Sequence, residues 1–132
     1  MSIAERVNVA AGHFDAPSFD VEQLDVYRVA LEFERLLPQI LPRKGQAVLR
    51  NQLERASASV LLNLAEGCGR WAPGEKAHFY SIARGSAMEC AAALDVLAAR
   101  SLLSAPHHRH GRGLLARVVQ MPTKLAVRQA AR

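Results

Sequence analysis

Polar residues recur at helical spacing in the segment R-A-S-A-S-V-L-L-N-L-A-E-G-C-G-R, which spans residues 55–70. Arg55, Ser59 and Asn63 are four residues apart, and Glu66 follows three residues after Asn63. All four therefore lie along one side of a helix. The apolar stripe of the same helix runs beside them, at Leu53, Ala56, Val60 and Leu64. A guanidinium, a hydroxyl, an amide and a carboxylate next to a core indicate either a ligand site or a buried polar network.

A second helical segment supplies groups that this polar row could meet. Ser86 and Glu89 lie within the apolar stripe predicted for residues 73–100. If the two helices are antiparallel neighbours, Arg55 is the natural partner of Glu89. Removing one partner of a buried ion pair typically costs ~3–5 kcal/mol, so we interpret the polar residues as a structural network that fixes helix register. A carboxylate-centred site is the alternative. The proposed network comprises Arg55, Ser59, Asn63, Glu66, Ser86 and Glu89.

Catalytic and metal chemistry find little support in the sequence. General acid–base catalysis needs a positioned group in a cleft, and Glu66 and Glu89 have no neighbouring histidine in sequence. Di-metal carboxylate bundles carry Glu-x-x-His on two helices, a requirement that the chain does not meet. Cys68 is interpreted as a free thiol, and the histidines of segment 107–110 as part of a solvated loop. We predict a non-enzymatic protein with no catalytic residue, no metal and no cofactor.

The formal net charge of +5 is unevenly distributed. Residues 1–99 carry ten basic and twelve acidic side chains, whereas residues 100–132 carry seven basic side chains and no acidic one. A strongly basic end indicates contact with phosphate or with an acidic partner. The candidate nucleic-acid-binding residues are Arg109, Arg112, Arg117, Lys124 and Arg128. The alternatives are a charge match with the acidic segment 20–35, within or between subunits, and a merely solvated surface.

Length and pattern predict a single all-α domain. Half of the 132 residues are apolar, only 5% are aromatic, and alternating β-branched runs are missing, which favours close-packed helices over a β-sandwich. We predict helices from Asp20 to about Leu37, from Gly45 or Gln46 to Gly67, from Pro73 to Arg100, and from about Leu114 onward. The predicted fold is an antiparallel up-down-up-down four-helix bundle over residues 18–132, preceded by a flexible N-terminal tail, residues 1–17.

Prolines and glycines set the predicted connections. Pro38 and Pro42 bracket a turn, since proline lacks an amide donor and disfavours helix in the preceding residue. Gly67 fits a left-handed helix cap. Segment 107–113 is a poor helix former because it contains two glycines. Pro122 predicts a kink or break within the last helix.

The sequence contains no signal that places the chain at a membrane. The first 20 residues lack the apolar segment of a signal peptide, no apolar run approaches the ~20 residues of a membrane span, and two cysteines are too few for a disulfide framework. We expect a cytoplasmic protein with reduced thiols and no membrane partner.

Trp71 is the single tryptophan, and it lies beside Arg70 in the connection before the third predicted helix. An aromatic residue at the end of a bundle more often caps the core or fills a subunit interface than stacks on a base, so we favour the interface. Stacking on a nucleic-acid base is the alternative.

Three segments carry a resemblance to a known family. They are F-D-V-E-Q-L-D-V-Y-R (19–28), Q-L-E-R-A-S-A-S-V-L-L-N-L-A-E-G-C-G-R (52–70) and E-K-A-H-F-Y-S-I-A-R-G-S-A-M-E-C-A-A-A-L-D (75–95), with a weaker match at L-L-A-R-V-V-Q-M (114–121). Over residues 19–128 the chain resembles the bacterial four-helix-bundle proteins related to those encoded by intervening sequences in 23S ribosomal RNA genes. Pro122 departs from the family pattern, where a leucine or similar helix former is expected.

The resemblance implies an antiparallel four-helix bundle and, as in members of the family, a ring-like homopentamer. A related protein, the basic accessory protein of diversity-generating retroelements, works with a reverse transcriptase and nucleic acid. The family at large has no established enzymatic activity. We therefore expect a non-enzymatic homo-oligomeric bundle that binds RNA or DNA, or a ribonucleoprotein, through a basic C-terminal helix. The alternative is a protein-interaction scaffold with no nucleic-acid role.

Overall fold

The computed structural model describes residues 19–42 and 44–130, apart from the side chains of residues 23 and 121–130. A short 3₁₀ turn at Asp20–Gln23 is followed by four helices: α1 (Asp25–Ile40), α2 (Ala47–Gly69), α3 (Pro73–Ala99) and α4 (Ala105–Ala130). No strand is present among the described residues. The predicted all-α four-helix bundle is confirmed, whereas the tail predicted for residues 1–17 lies outside the described part of the chain.

The helices run up and down, and α3 occupies the middle of the packing. It packs along both α2 and α4, while α1 closes the bundle against α4 and α2. Ser59 of α2 meets Ser86 of α3, and Gly111 of α4 meets Leu94 of α3. Each helix pair is joined by a connection of only a few residues. A contact this far from the connection therefore requires the two helices to be antiparallel. One side of α3 is consequently left facing outward.

Two hydrogen bonds between Phe19 and Glu22 fix the 3₁₀ turn that precedes α1. The Phe19 amide donates to Glu22 Oε1 at 3.2 Å, and the Glu22 amide donates to the Phe19 carbonyl at 3.0 Å. Two otherwise unpaired amides are thereby satisfied. Leu24 is extended, at φ −80° and ψ 125°, so α1 begins at Asp25 rather than at Asp20.

The turn predicted between Pro38 and Pro42 is wrong, because α1 continues through Pro38 to Ile40. The Leu41 amide still donates to the Leu37 carbonyl at 2.9 Å. A proline near the end of a helix removes a single backbone bond. Burial of Leu37 and Ile40 in the core holds the last turn in place.

Gly67 is not a left-handed cap, since α2 runs on to Gly69. Among the described residues the only glycine with positive φ is Gly45, at 74°, just before α2. Gly67 is buried within the helix, and a Cβ there would lie 2.7 Å from the Tyr80 ring. Its role is close packing of α2 on α3. The α2 carbonyls are capped instead by Lys76, whose Nζ donates to Gly67 at 3.2 Å and to Cys68 at 2.9 Å.

The fourth helix begins at Ala105, so the loop predicted over residues 107–113 is wrong. Ser104 Oγ accepts from the His107 amide at 3.3 Å, as a helix cap does. Gly111 is buried, and a Cβ there would lie 2.7 Å from Leu94 Cδ1. Tertiary packing therefore explains why position 111 holds a glycine even though glycine lowers helix propensity. The predicted break near Pro122 is not observed, since α4 extends to Ala130; a kink there stays a prediction.

The core is built from small and aliphatic side chains. On α3 the fully buried positions are Ala83, Ala87, Cys90, Leu94 and Leu97. The predicted stripe is wrong at Glu89, which is exposed. Burial raises the pKa of the Cys90 thiol to about 12, so this cysteine stays protonated. Among the helices described, none combines the length and apolar character that a membrane span requires.

Candidate functional site

A half-buried polar cluster joins α2 to α3. Ser59 and Ser86 are hydrogen bonded through their hydroxyls at 2.8 Å. Asn63 Nδ2 donates to the Ser59 carbonyl at 2.9 Å and to Ser59 Oγ at 3.0 Å. Since Ser59 Oγ accepts from Asn63, its own hydrogen is free for Ser86. The structure brings these three predicted residues together at one level of the bundle.

The charged members of the predicted network lie at the rim of an open groove. The groove has a volume of about 260 Å³, and its lining is Gln52, Arg55, Ala56, Ser59, Ser86 and Glu89. Arg55 and Glu89 are both exposed. In the described part of the chain no ion pair within 4.0 Å joins them, so the predicted Arg55–Glu89 pair is wrong. Both side chains are solvated on an open helix surface, so neither needs the charged partner that a buried side chain would require.

Glu66 does not join this groove. Its Oε2 lies 3.7 Å from Arg70 Nε, one helical turn later. An exposed i,i+4 pair of this kind contributes only a few tenths of a kcal/mol, about 0.3–0.5. The predicted six-residue network is thus divided into a serine–asparagine cluster, two rim charges and a separate surface pair. A structural role for the cluster itself stays a prediction.

An ion-pair cluster that the sequence analysis missed ties α3 to α4. Asp95 Oδ1 lies 2.8 Å from His108 Nε2, and Arg112 Nη1 donates to both Asp95 oxygens at 2.7 Å. The His108 hydrogen bond, together with Arg112, lowers the pKa of the Asp95 carboxyl despite some desolvation. His108 and Arg112 are four residues apart, a spacing that places both on one side of a helix. Because residues 107–113 were predicted to form a loop, this spacing was not used.

The remaining candidate cations of α4 divide into two groups. Arg109 and Arg117 are exposed, and neither forms an ion pair within the described residues. Lys124 and Arg128 lie in α4, and their side chains are outside the described part. They follow Arg117 by seven and eleven residues, positions that return to the same side of a helix. Arg112 differs from these residues because Asp95 already neutralises it.

Aromatic and basic side chains collect at the end of the bundle where α2 turns into α3. Trp71 is 95% exposed, and Phe19, at the start of the 3₁₀ turn, is 71% exposed. The Arg70 guanidinium lies over the Phe79 ring, 4.9 Å from its centroid. His78 contacts the same ring edge-on, with centroids 5.3 Å apart.

The thiol and the histidines form no reactive centre in the part of the chain that the structure describes. Burial raises the pKa of Cys68, and the Lys76 charge only partly opposes this. Glu75 and His78 have Glu-x-x-His spacing, but both are exposed and lie on one helix. Among the described residues no three histidine, cysteine or carboxylate groups converge where they could share a metal ion.

Comparison with known proteins identifies the family. The family model for the 23S rRNA-intervening sequence protein matches residues 22–124, which span α1, α2, α3 and most of α4. The chain belongs to the 23S rRNA-intervening sequence protein family. The matched region includes the serine–asparagine cluster, the groove and the Asp95 ion pairs. No protein with a curated description matches the chain.

Proposed function

We propose that this member of the 23S rRNA-intervening sequence protein family is a non-enzymatic, homo-oligomeric bundle that binds nucleic acid through α4. The observation that carries the proposal is the set of unpaired cations on α4. Arg109 and Arg117 are exposed, and residues 100–132 contain no acidic side chain to neutralise them. Arginines on an exposed helix are suited to phosphate, which they contact by charge-assisted hydrogen bonds.

Self-association is supported by the outward side of α3. Ile82, Met88 and Val96 are 38%, 49% and 36% exposed, and Gly85 and Ala92 are exposed between them. Small and apolar residues on one helix side allow another helix to approach closely, and water does not favour such a surface. We propose that copies of the chain meet there, with a pentamer as the favoured assembly in the cytoplasm.

A non-catalytic role is supported by the chemistry of the groove. Glu89 is exposed, and the hydroxyls of Ser59 and Ser86 are bound to each other rather than to a base. Nucleophilic catalysis needs an adjacent general base to activate a hydroxyl. The groove does not offer that arrangement among its lining residues.

The proposal is tested by measuring binding of labelled RNA and DNA across a series of salt concentrations. Affinity should fall steeply as salt rises, since phosphate contacts release counterions. Arg117→Glu should weaken binding at least tenfold at low salt. Lys44→Glu, an equal charge change on an exposed residue of the α1–α2 connection, is the matched control and should have a smaller effect. Absence of binding at 50 mM salt would refute the proposal.

The second candidate function is a protein-interaction scaffold in which basic α4 meets acidic α1 of a neighbouring subunit. Exposed Glu32 on α1 and exposed Arg117 on α4 favour it. Under this alternative, Arg117→Glu dissociates the assembly, and the double variant with Glu32→Lys restores it. Native mass measurements distinguish the two functions, because nucleic-acid binding predicts an unchanged mass for Arg117→Glu.

A further inference from the structure

Trp71 is the most exposed large apolar side chain among the described residues, at 95%. It lies in the connection between α2 and α3, which holds it clear of the core. A tryptophan in this position leaves almost its whole indole face in water, although aromatic rings gain most from burial. The indole face is therefore available to a ligand.

The sequence neighbours of Trp71 include basic and aromatic side chains. Arg70 precedes it and stacks on Phe79, and His78 contacts the same ring. Phe19, the other highly exposed aromatic side chain, lies near this end of the bundle, because the adjacent Asp20 is close enough to influence the Cys68 thiol at the end of α2. Arg70 is itself 3.7 Å from Glu66, so the exposed rings offer stacking faces at this end, while the positive charge for an anionic ligand comes chiefly from α4.

The register of α4 brings its cations toward the same end. Leu94 of α3 lies opposite Gly111 of α4, and the two helices are antiparallel, so each step along α4 is a step back along α3. Lys124 is then level with about residue 81, and Arg128 with about residue 77. At ~1.5 Å per residue, Arg128 is on the order of 10 Å along the bundle axis from the Trp71 connection.

We propose that Trp71, with Phe19 at the same end of the bundle, stacks on unpaired bases of single-stranded nucleic acid whose phosphates follow the cations of α4. This inference rests on the nucleic-acid binding proposed above and specifies the kind of strand. A duplex keeps its base faces stacked internally, whereas a single strand presents them to aromatic side chains. Stacking is tolerant of sequence, so the site selects strand state rather than base order.

A subunit interface at Trp71 fits these surroundings less well. Stable interfaces bury on the order of 800 Å² per partner around a largely apolar centre. Trp71 is followed by the small exposed residues Ala72, Pro73 and Gly74, and Arg70 lies on its other side. The outward side of α3, with Met88 at its middle, offers the more continuous apolar surface for a second copy of the chain.

The test uses the intrinsic fluorescence of the full chain, because Trp71 is its single tryptophan. Oligo(U) and oligo(dT) of twelve nucleotides are titrated at 50 mM salt, with a duplex of equal length for comparison. We expect the single strands to quench Trp71 emission and to bind more tightly than the duplex. Trp71→Ala should weaken single-strand binding about 5- to 150-fold, the equivalent of ~1–3 kcal/mol for one stacked base. Trp71→Phe should recover part of this loss.

The matched control is Leu62→Ala, which removes a 69% exposed apolar side chain from α2 and should leave affinity unchanged. Anisotropy of a labelled strand separates the outcomes. If no strand binds, the proposed function fails together with this inference. If strands bind with unchanged Trp71 emission and Trp71→Ala has the wild-type affinity, the stacking is overturned and the proposed function stands. If Trp71→Ala lowers the native mass, Trp71 is an interface residue and the stacking is likewise overturned.

Discussion

Gly67 and Gly111 lie where a buried side chain of α3 leaves no room for a Cβ atom unless that side chain moves. A Cβ on Gly67 would meet two atoms of the Tyr80 ring, at 2.7 and 2.9 Å, and Tyr80 is itself buried. A Cβ on Gly111 would meet Leu94, which is fully buried. The two glycines thus permit close packing of α3 on α2 and on α4.

We expect Gly67→Ala to lower the free energy of unfolding by up to about 2 kcal/mol. Overpacking typically costs ~1–3 kcal/mol, and the better helix propensity of alanine returns about 1 kcal/mol of it. Urea unfolding at fixed protein concentration measures the change. Gly113→Ala, an exposed position of α4 with open space around it, is the control and should stabilise by ~0.5–1 kcal/mol. Equal changes in both variants would contradict the close approach.

Asn63 and Glu89 should differ in their effect on stability. Asn63→Ala removes two hydrogen bonds to half-buried Ser59, so we expect a loss of about 1 kcal/mol. Glu89→Gln changes an exposed charge and should stay within ~0.5 kcal/mol of the wild type. Thermal unfolding of the two variants gives the comparison. A large loss for Glu89→Gln would mean that Glu89 meets a partner in the assembled protein.

At the scale of elements, the Asp95 cluster links the end of α3 to the start of α4. The pKa of Asp95 is lowered in the folded state, so its contribution to stability is present above the unfolded-state value, about 3.9. That contribution is lost as the pH falls through the lower folded-state pKa. Because the Asp95 side chain is 49% exposed, the effect should not exceed about 1 kcal/mol.

We expect Asp95→Asn to be less stable than the wild type at neutral pH and equally stable in strong acid. Unfolding measured from pH 7 down to pH 2 should show the two curves converging below about pH 4. Asp25→Asn is the matched control, since Asp25 is 81% exposed and reaches Arg28 only at 4.0 Å. A constant difference between Asp95→Asn and the wild type at every pH would contradict an electrostatic cause.

Element boundaries show which local signals the sequence conveys reliably. Pro73 begins α3, as predicted, and Glu75 lies in its first turn. Both preferences act within one helical turn. Pro38 and Gly111 were misinterpreted, since their effects depend on residues far away in sequence. The apolar contacts of α1 extend a helix past Pro38, and the nearby Leu94 side chain leaves little room for a Cβ atom at position 111.

At the scale of the whole molecule, the outward side of α3 should control the assembly state. Met88→Glu places a charge at the middle of that apolar surface, and burying an unpaired charge in an interface costs several kcal/mol. We expect the native mass to fall to that of smaller assemblies, down to a single chain. Leu62→Glu, an equivalent change on the exposed side of α2, is the control and should leave the mass unchanged. An unchanged mass for both variants would exclude this surface of α3 as the interface.

The fold was predictable because hydrophobic periodicity and composition act locally and repeat along the whole chain. Four amphipathic segments of sufficient length with short connections allow few arrangements, and the family resemblance covers the same region. The prediction that the polar row of α2 meets polar residues of α3 was correct for one pair, since Ser59 does meet Ser86. Whether its charges were buried could not be predicted, because a helical wheel gives the direction of a side chain but not the position of the neighbouring helix.

The sequence by itself determined the all-α bundle, the basic last third of the chain and the pairing of α2 with α3. Only the tertiary structure decided that Arg55 and Glu89 stay in solvent, that Asp95 engages Arg112, and that Trp71 is left uncovered. The physical reason is the range of the interactions. Helix formation depends on residues within a few positions of each other, whereas burial and ion pairing depend on how closely separate helices approach.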